Sequence, residues 1–175
     1  MNRFVPLLIV VFLVVLFAAM MGGDRNPQEL KSVLIGKEAP AFDLESVIEG
    51  QEGLSNTALA TGDPIIVNFF ASWCVPCRAE HENLMKLAET YKVPVYGIAY
   101  KDKVTASRAF LEELGNPYVQ TGADLSGIVG IDFGVTGVPE TFVIDGDGVI
   151  RYRHWGPVIG TAVEDKILPE LEKAR

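Results

Sequence analysis

The chain alternates short apolar runs with amphipathic stretches over most of its length. Apolar runs bounded by turn-forming residues predict buried strands, whereas apolar residues spaced three and four apart predict helices. Strands are predicted at residues 39–44, 65–71, 94–100, 118–120, 141–144 and 149–152. Helices are predicted at residues 74–91, 105–114, 126–133 and 161–173. This alternation favours an α/β fold in which helices cover both faces of a mixed sheet.

Two turn-rich segments interrupt this pattern. Residues 45–63 contain several glycines and are followed by Pro64, which predicts a hairpin and a loop before the first buried strand. Residues 145–148 have the sequence Asp-Gly-Asp-Gly, which predicts a tight hairpin between the strands on either side.

The N-terminal segment differs from the rest of the chain. Residues 4–21 are uncharged and almost wholly apolar, and they are just long enough to cross a bilayer core as a helix. A cleaved signal peptide is the alternative, but Met20 and Met21 occupy positions where cleavage needs small residues. The predicted organisation therefore has three parts: a membrane anchor at residues 1–23, a stalk at 24–35 and a folded domain at 36–175.

The chain carries a formal net charge of −8 and has no basic cluster. This charge argues against nucleic acid or an anionic lipid surface as a partner. Acidity of this kind is typical of a soluble surface and needs no further explanation.

The two cysteines, Cys74 and Cys77, form a CxxC motif between a predicted strand and the start of a predicted helix. A helix N-terminus stabilises a thiolate on the first sulfur, and the second sulfur is near enough to close a reversible disulfide. The motif predicts thiol–disulfide exchange with Cys74 as nucleophile and Cys77 as resolving thiol. A zinc site would need four ligands, and neither His81 nor His154 belongs to a paired motif, so no metal is expected.

This chemistry also bears on where the domain works. The flanking charges do not settle the orientation of the anchor, because Arg3 precedes it while Arg25 and Lys31 follow it. A lone dithiol is more useful where disulfides persist, so we expect the folded domain on the outer side of the membrane.

Three further residues bear on the structure of the predicted redox site: Trp73 before the motif, Pro76 within it and Pro139 before a later strand. Trp73 precedes the nucleophile, and its indole either covers the sulfur or simply packs nearby. Pro76 fits the first turn of a helix. Pro139 precedes an apolar strand and belongs at the strand start, because it has no N–H for the ladder. A cis bond there would leave the backbone of Val138 free to pair with an extended peptide.

Residues 67–80, with the sequence VNFFASWCVPCRAE, resemble the active-site segment of membrane-anchored, thioredoxin-like reductases. Within that group the chain most resembles the CcmG/DsbE family of cytochrome c maturation. Residues 34–40, 96–102 and 137–145 agree with this resemblance, and the last two stretches single out the maturation branch. The resemblance spans nearly the whole chain.

The resemblance implies a thioredoxin fold with an N-terminal β-hairpin extension and a transmembrane helix. It implies that Cys74 and Cys77 form a redox-active disulfide beside a cis Pro139, with no other cofactor. It also implies acidic residues near the site, which Glu80 and Glu140 match. Ordinary thioredoxins carry a buried aspartate where this chain has Asn68.

Glu80 bears on the direction of electron flow. It lies one helical turn after Cys77, where its charge should raise the thiol pKa, destabilise the reduced form and favour a reductant. Arg78 acts in the opposite direction if its side chain turns towards the sulfur. The alternative for Glu80 and Glu140 is that both are solvated surface charges.

The implied function is reduction of the CxxCH disulfide of apocytochrome c, directly or through a thiol protein of the maturation system. A membrane electron donor of the DsbD or CcdA type would then reduce the site again, and the protein is expected to be a monomer. The alternatives are a general extracytoplasmic reductase of the TlpA/ResA type, a disulfide-forming oxidant, or a peptide-binding module. Ala71 argues against a peroxidase, because it stands where peroxiredoxins have threonine.

Overall fold

The computed structural model describes residues 4–21 and 33–175, and the chain divides into two compact units at residues 1–30 and 31–175. In the first unit, helix α1 runs over Val5–Met21 and has 17 residues. No helix within the described ranges is both long and apolar enough to cross a membrane. The transmembrane helix predicted for the N-terminus is therefore not found there. Most of the predicted stalk lies outside the described residues.

The second unit contains all the strands of the described chain. The strands are β1 (Asp43–Leu44), β2 (Leu54–Ser55), β3 (Ile65–Phe70), β4 (Val95–Tyr100), β5 (Thr121–Asp124), β6 (Glu140–Ile144) and β7 (Ile150–Trp155). The helices are α2 (Val75–Glu89), α3 (Val104–Leu114), α4 (Ile128–Asp132) and α5 (Leu168–Lys173). A 3₁₀ turn at Asn56–Leu59 follows β2, and a π-helical turn at Val163–Ile167 leads into α5.

Five strands form one mixed sheet in the order β5-β4-β3-β6-β7. Strand β3 pairs parallel with β4 and antiparallel with β6, while β4 pairs parallel with β5 and β6 antiparallel with β7. The predicted α/β architecture with a central mixed sheet is confirmed. Strands β1 and β2 form a separate antiparallel pair, as expected for the N-terminal hairpin.

Every residue of β3 is buried, and successive side chains point to opposite faces of the sheet. Ile66 and Phe70 pack into one apolar cluster together with residues of α2, α3 and α5. Val67 and Phe69 pack into a second cluster on the other face. Asn68 therefore lies on the same face as Ile66 and Phe70, beneath α2.

Two strand predictions need correction. The strand predicted at residues 118–120 is wrong, because the strand of this region is β5, which pairs with β4 from Gly97 onwards. Tyr118 instead uses its ring to stack on Phe70, with centroids 5.0 Å apart. The first predicted strand is reduced to β1, because the chain before it makes an isolated antiparallel bridge, between Glu38 and Val149, and not a continuous ladder.

Candidate active site

The N-terminus of α2 carries both cysteines. The structure joins Cys74 and Cys77 in a disulfide, with their Cα atoms 5.3 Å apart. Cys74 is the N-cap residue, and its Sγ accepts a hydrogen bond from the backbone N–H of Cys77 at 3.1 Å. Pro76 occupies the first turn, where a missing N–H leaves no helical bond unmade. A negative charge on the sulfur of Cys74 would therefore be stabilised by the helix end.

The turn before the cysteines is tied to the segment that follows β4. Trp73 is largely exposed, and its Nε1 donates to the carbonyl of Lys101 at 3.3 Å. Asp102 accepts hydrogen bonds from the backbone N–H of Ser72 and the hydroxyl of Ser107, both at 2.7 Å. Burial acts to raise the pKa of Asp102, but these bonds outweigh it and hold the pKa below its ordinary value.

Sequence analysis did not assign a role to Asp102, although its position offered a signal. It lies three residues before the helix predicted at residues 105–114, in a region where aspartate commonly accepts hydrogen bonds from backbone N–H groups. In the structure it also accepts from the N–H of Lys103, the N-cap residue of α3. Asp102 thus connects the start of α3 to the turn that presents the cysteines.

Glu80 lies on α2, one turn after Cys77, and its side chain is completely buried. Its Oε1 accepts a hydrogen bond from Nδ2 of Asn68 at 2.9 Å, and its Oε2 accepts one from the N–H of Val158 at 2.8 Å. Burial raises the pKa of Glu80 from 4.5 to about 7, against the opposing effect of these two bonds. The alternative that Glu80 is a solvated surface charge is wrong.

Asn68 is the centre of a buried hydrogen-bonded set. Its Nδ2 also donates to Oγ1 of Thr141 at 3.1 Å, and its Oδ1 accepts from the hydroxyl of Tyr118 at 2.8 Å. Burial holds the pKa of Tyr118 well above its ordinary value, and the nearby Glu80 adds to this effect. Sequence analysis missed Tyr118, because its residue type and position carry no local sign of this contact.

Glu140 is also fully buried, so a solvated surface position is wrong for this residue too. It pairs with Phe69 in the sheet register, which places its side chain on the face opposite to Asn68 and α2. Its Oε1 accepts from the N–H and the hydroxyl of Thr136, both at 2.8 Å, and its Oε2 pairs with Nε of Arg153 at 2.7 Å. Through its hydrogen bonds to Thr136, Glu140 thus anchors the segment that precedes Pro139.

The Val138–Pro139 peptide bond is cis. Pro139 and the loop before it line a groove of about 450 Å³ that also includes Pro76 of the CxxC motif. The complete lining is Pro76, Thr136, Gly137, Val138, Pro139, Trp155, Gly156 and Pro157. The fold therefore brings the redox motif and the cis-proline loop together, as the resemblance implied.

The remaining charged and imidazole side chains near α2 have other partners. Arg78 forms two hydrogen bonds to Glu113 at 2.7 and 3.2 Å, and its guanidinium lies over the ring of Phe110. Its charge is thus directed to α3 and not to the sulfurs. Burial lowers the pKa of His81, which hydrogen-bonds the carbonyl of Gly115 at 2.9 Å.

No group of three or more His, Cys, Asp and Glu side chains within residues 4–21 and 33–175 could hold a metal ion. The described site is built from the dithiol–disulfide pair and the groups around it. These are a sulfur at a helix N-terminus, a buried carboxyl in the same helix and a groove beside them.

Comparison with known proteins agrees with this chemistry. A family model described as Redoxin matches residues 34–169. The thiol:disulfide interchange protein DsbE of Yersinia pestis is 44% identical, over 97% of this chain and 92% of its own length. DsbE of Escherichia coli strain K12 is 41% identical, over 99% of this chain and 96% of its own length.

Solved structures show the same fold. A candidate DsbE from Chlorobium tepidum aligns with a TM-score of 0.64 and 25% identity, over 83% of this chain and 99% of that chain. The thioredoxin domain of a thiol-disulfide oxidoreductase from Bacteroides vulgatus aligns with a TM-score of 0.66 and 20% identity, over 82% of this chain and 99% of that chain. The chain therefore belongs to the Redoxin family and, within it, to the DsbE thiol:disulfide interchange proteins, and it is a thiol:disulfide oxidoreductase.

Proposed function

We propose that this protein is a periplasmic reductase that supplies electrons to the CxxCH disulfide of apocytochrome c, directly or through a thiol protein of the maturation system. The observation that carries the direction is the buried Glu80 in the same helix as the cysteines. Its negative charge disfavours a thiolate nearby, and a less stable reduced form is a better electron donor. The similarity to proteins named DsbE supports the maturation role.

The exchange proceeds in two displacements. The Cys74 thiolate attacks one sulfur of the partner disulfide, forming a mixed disulfide, and the other partner sulfur leaves as a thiolate. Cys77 then loses its proton and attacks Sγ of Cys74, which forms the Cys74–Cys77 bond and releases the second partner thiolate. Two electrons pass to the partner, and its two thiolates take up two protons.

Surrounding groups assist these steps. The N–H of Cys77 points at Sγ of Cys74, which stabilises the attacking thiolate. A carboxyl with a pKa near 7 exchanges protons readily at neutral pH, so Glu80 is suited to accept the proton of Cys77. Val138, which precedes the cis-proline, offers its main chain to an extended partner segment.

The oxidised site has to be reduced again after each turnover. We assign this step to a membrane electron donor of the DsbD or CcdA type, whose dithiol returns two electrons to the Cys74–Cys77 disulfide by the same two displacements in reverse. We place the domain in the bacterial periplasm, attached to the inner membrane by the apolar segment at residues 4–21. The uncharged composition of that segment and the persistence of disulfides outside the cytoplasm support this placement.

The substrate assignment is tested with disulfide peptides. The reduced full-length chain is mixed with an oxidised CxxCH peptide and with an unrelated peptide that closes a disulfide loop of equal size. We expect faster reduction of the CxxCH peptide, no reaction for Cys74→Ala, and accumulation of the mixed disulfide for Cys77→Ala. Equal rates for the two peptides would instead indicate a general reductase of the TlpA/ResA type.

The placement is tested separately in cells that express the full chain. We expect the protein in the membrane fraction after alkaline extraction, and we expect its reduced cysteines to react with a membrane-impermeant thiol reagent in intact spheroplasts. Release by alkali would contradict membrane attachment. Labelling only after lysis would contradict the periplasmic location.

A further inference from the structure

The two tryptophans of the chain are both unusually open to solvent. Trp73 is 59% exposed and Trp155 is 53% exposed, although large aromatic side chains usually bury most of their surface. Each indole is nevertheless held in place by its N–H: Trp73 donates to the carbonyl of Lys101, and Trp155 donates to Oγ1 of Thr136. Of the two, Trp155 lines the groove beside the redox motif.

That groove has a distinct chemical character. Most of its lining is apolar and consists of three prolines, Val138 and the indole of Trp155. Two glycines and Thr136 complete the lining. No charged side chain is part of this lining. A groove of this kind has room for an apolar side chain and offers nothing to compensate the desolvation of a charged one.

Thr136 connects the indole to a buried ion pair. Its hydroxyl donates to Oε1 of Glu140 at 2.8 Å and accepts from Nε1 of Trp155 at 3.2 Å and from a guanidinium nitrogen of Arg153 at 3.3 Å. One donor and two acceptor sites are the full capacity of a hydroxyl. The orientation of the indole is thus fixed before any partner arrives, which lowers the entropy lost on binding.

The groove is also in the right place to contact a partner. Pro76 lies between the two cysteines in sequence, and Pro139 lines the same groove. A partner segment whose sulfur reaches Cys74 therefore places a neighbouring side chain in the groove that these prolines and Trp155 line.

We propose that Trp155, positioned by the hydroxyl of Thr136, determines specificity by selecting partner disulfides with a large apolar side chain next to the attacked cysteine. Trp155 contacts the partner, and Thr136 acts through Trp155 as a positioning residue. The inference rests on thiol–disulfide exchange alone and not on the direction of electron flow or on cytochrome c as the partner.

The test uses four disulfide peptides that differ only at the residue next to one cysteine, which is Gly, Lys, Leu or Phe. The second-order rate constant for reduction by the reduced full-length chain is measured for each. We expect the Leu and Phe peptides to react at least about tenfold faster than the Gly and Lys peptides. Trp155→Ala should reduce this preference to within about twofold, because it should slow the Leu and Phe peptides far more than the Gly and Lys peptides.

Two results would overturn the assignment to Trp155. One is a wild-type chain that reduces all four peptides at similar rates. The other is a Trp155→Ala chain that loses rate equally on every peptide, since this would indicate a structural role. As a matched control, Ile131→Ala truncates another exposed apolar residue outside the groove lining and should keep the full preference.

The role of Thr136 is tested by a pair of conservative changes. Thr136→Val keeps the shape but removes the hydroxyl, and we expect the preference to fall about fivefold, the effect of one net hydrogen bond. Thr136→Ser keeps the hydroxyl and should retain the preference. Full preference in Thr136→Val, or equal loss in both variants, would contradict the positioning role.

A second variant keeps this test valid if Thr136→Val does not fold. Trp155→Phe leaves Thr136 intact but removes the indole N–H, so it should show the same partial loss of preference. If Trp155→Phe keeps the full preference, the hydrogen bond does not position the ring. If the protein proves to be an oxidant, the same ranking is measured with the reduced dithiol peptides and the oxidised chain.

Discussion

Asn68 donates a hydrogen bond from Nδ2 to Oε1 of Glu80 at 2.9 Å, which links the central strand β3 to the helix that carries the cysteines. The hydroxyl of Tyr118 donates to Oδ1 of the same amide and thereby keeps the N–H side turned towards Glu80. Since Asn68 cannot ionise, the proton equilibrium of this set is governed by Glu80. Asn68 stands where ordinary thioredoxins carry a buried aspartate, and the ionisable carboxyl next to it is that of Glu80.

The raised pKa of Glu80 predicts that stability falls as pH rises. Below its ordinary pKa of 4.5 the carboxyl is protonated in both the folded and the unfolded chain. Between 4.5 and about 7 the unfolded chain loses this proton first, so the folded form is progressively disfavoured. We expect a total loss of about 3 kcal/mol above pH 7, to be measured as the free energy of unfolding of the oxidised protein in urea.

Two variants isolate this effect from other titrating groups. Glu80→Gln removes the ionisable group, so its free energy of unfolding should not show the loss between pH 4.5 and 7. Burial lowers the pKa of His81, but this residue is present in both proteins, so its contribution cancels in the difference. Glu113→Gln changes an exposed carboxyl on α3 and should retain the wild-type slope. Identical slopes for wild type and Glu80→Gln would contradict the assignment.

Removing Asn68 should destabilise the protein through its partners. In Asn68→Ala the hydroxyl of Tyr118 and Oε1 of Glu80 both lose a hydrogen bond in the buried interior. We expect a loss of roughly 2–6 kcal/mol, since each of the two unsatisfied buried groups costs about 1–3 kcal/mol. Tyr118→Phe removes only the donor to Oδ1 and should cost less. A loss below 1 kcal/mol for Asn68→Ala would show that water replaces these contacts.

The ion pair of Glu140 and Arg153 should contribute more to the free energy of unfolding than the pair that Arg151, on the same strand, forms with Asp145. The side chains of Glu140 and Arg153 are 0% and 7% exposed, so Arg153→Met leaves a buried carboxylate without its partner. We expect a loss of about 3–5 kcal/mol in the free energy of unfolding. Arg151→Met breaks the ion pair between Arg151 and Asp145. Because the side chain of Arg151 is half exposed, this change should cost about 1 kcal/mol or less. Equal losses would contradict the structural role of Arg153.

Glu80 and Arg78 should have unequal effects on the reduction potential. Glu80→Gln removes a negative charge from the redox helix and should raise the potential by about 30 mV for each unit by which the thiol pKa falls. Arg78→Ala breaks an exposed pair with Glu113 and should shift the potential much less. Equilibration of each variant with glutathione buffers measures both shifts. A larger shift for Arg78→Ala would show that its charge reaches the sulfurs.

Much of the fold was predictable because its signals are local. The uncharged run of β3 and the proline after Cys74 predict a buried strand and a helix start, and both lie within a residue or two of the predicted positions. Strand β5 was not predictable in its true position, because Thr121 is the one strand-favouring residue in Thr-Gly-Ala-Asp and the other three types are depleted in strands. Its conformation is set by pairing with β4.

The site shows the same division between local and distant signals. Cys74, Cys77 and Pro139 belong to short motifs, so their placement could be predicted. Tyr118 could not, because its partner Asn68 is 50 residues away in the chain and is reached only through the fold. Arg153 meets Glu140 across the hairpin of β6 and β7, and nothing in its own neighbourhood indicates a buried arginine.

The most direct test of the proposed reductant is the reduction potential of the Cys74–Cys77 pair. The full-length chain is equilibrated with defined ratios of reduced and oxidised dithiothreitol or glutathione at pH 7, and the reduced fraction is measured by alkylation and mass spectrometry. The account predicts a potential at or below about −200 to −230 mV, the range of glutaredoxins. A potential near −120 mV, that of a strong oxidant, would contradict it.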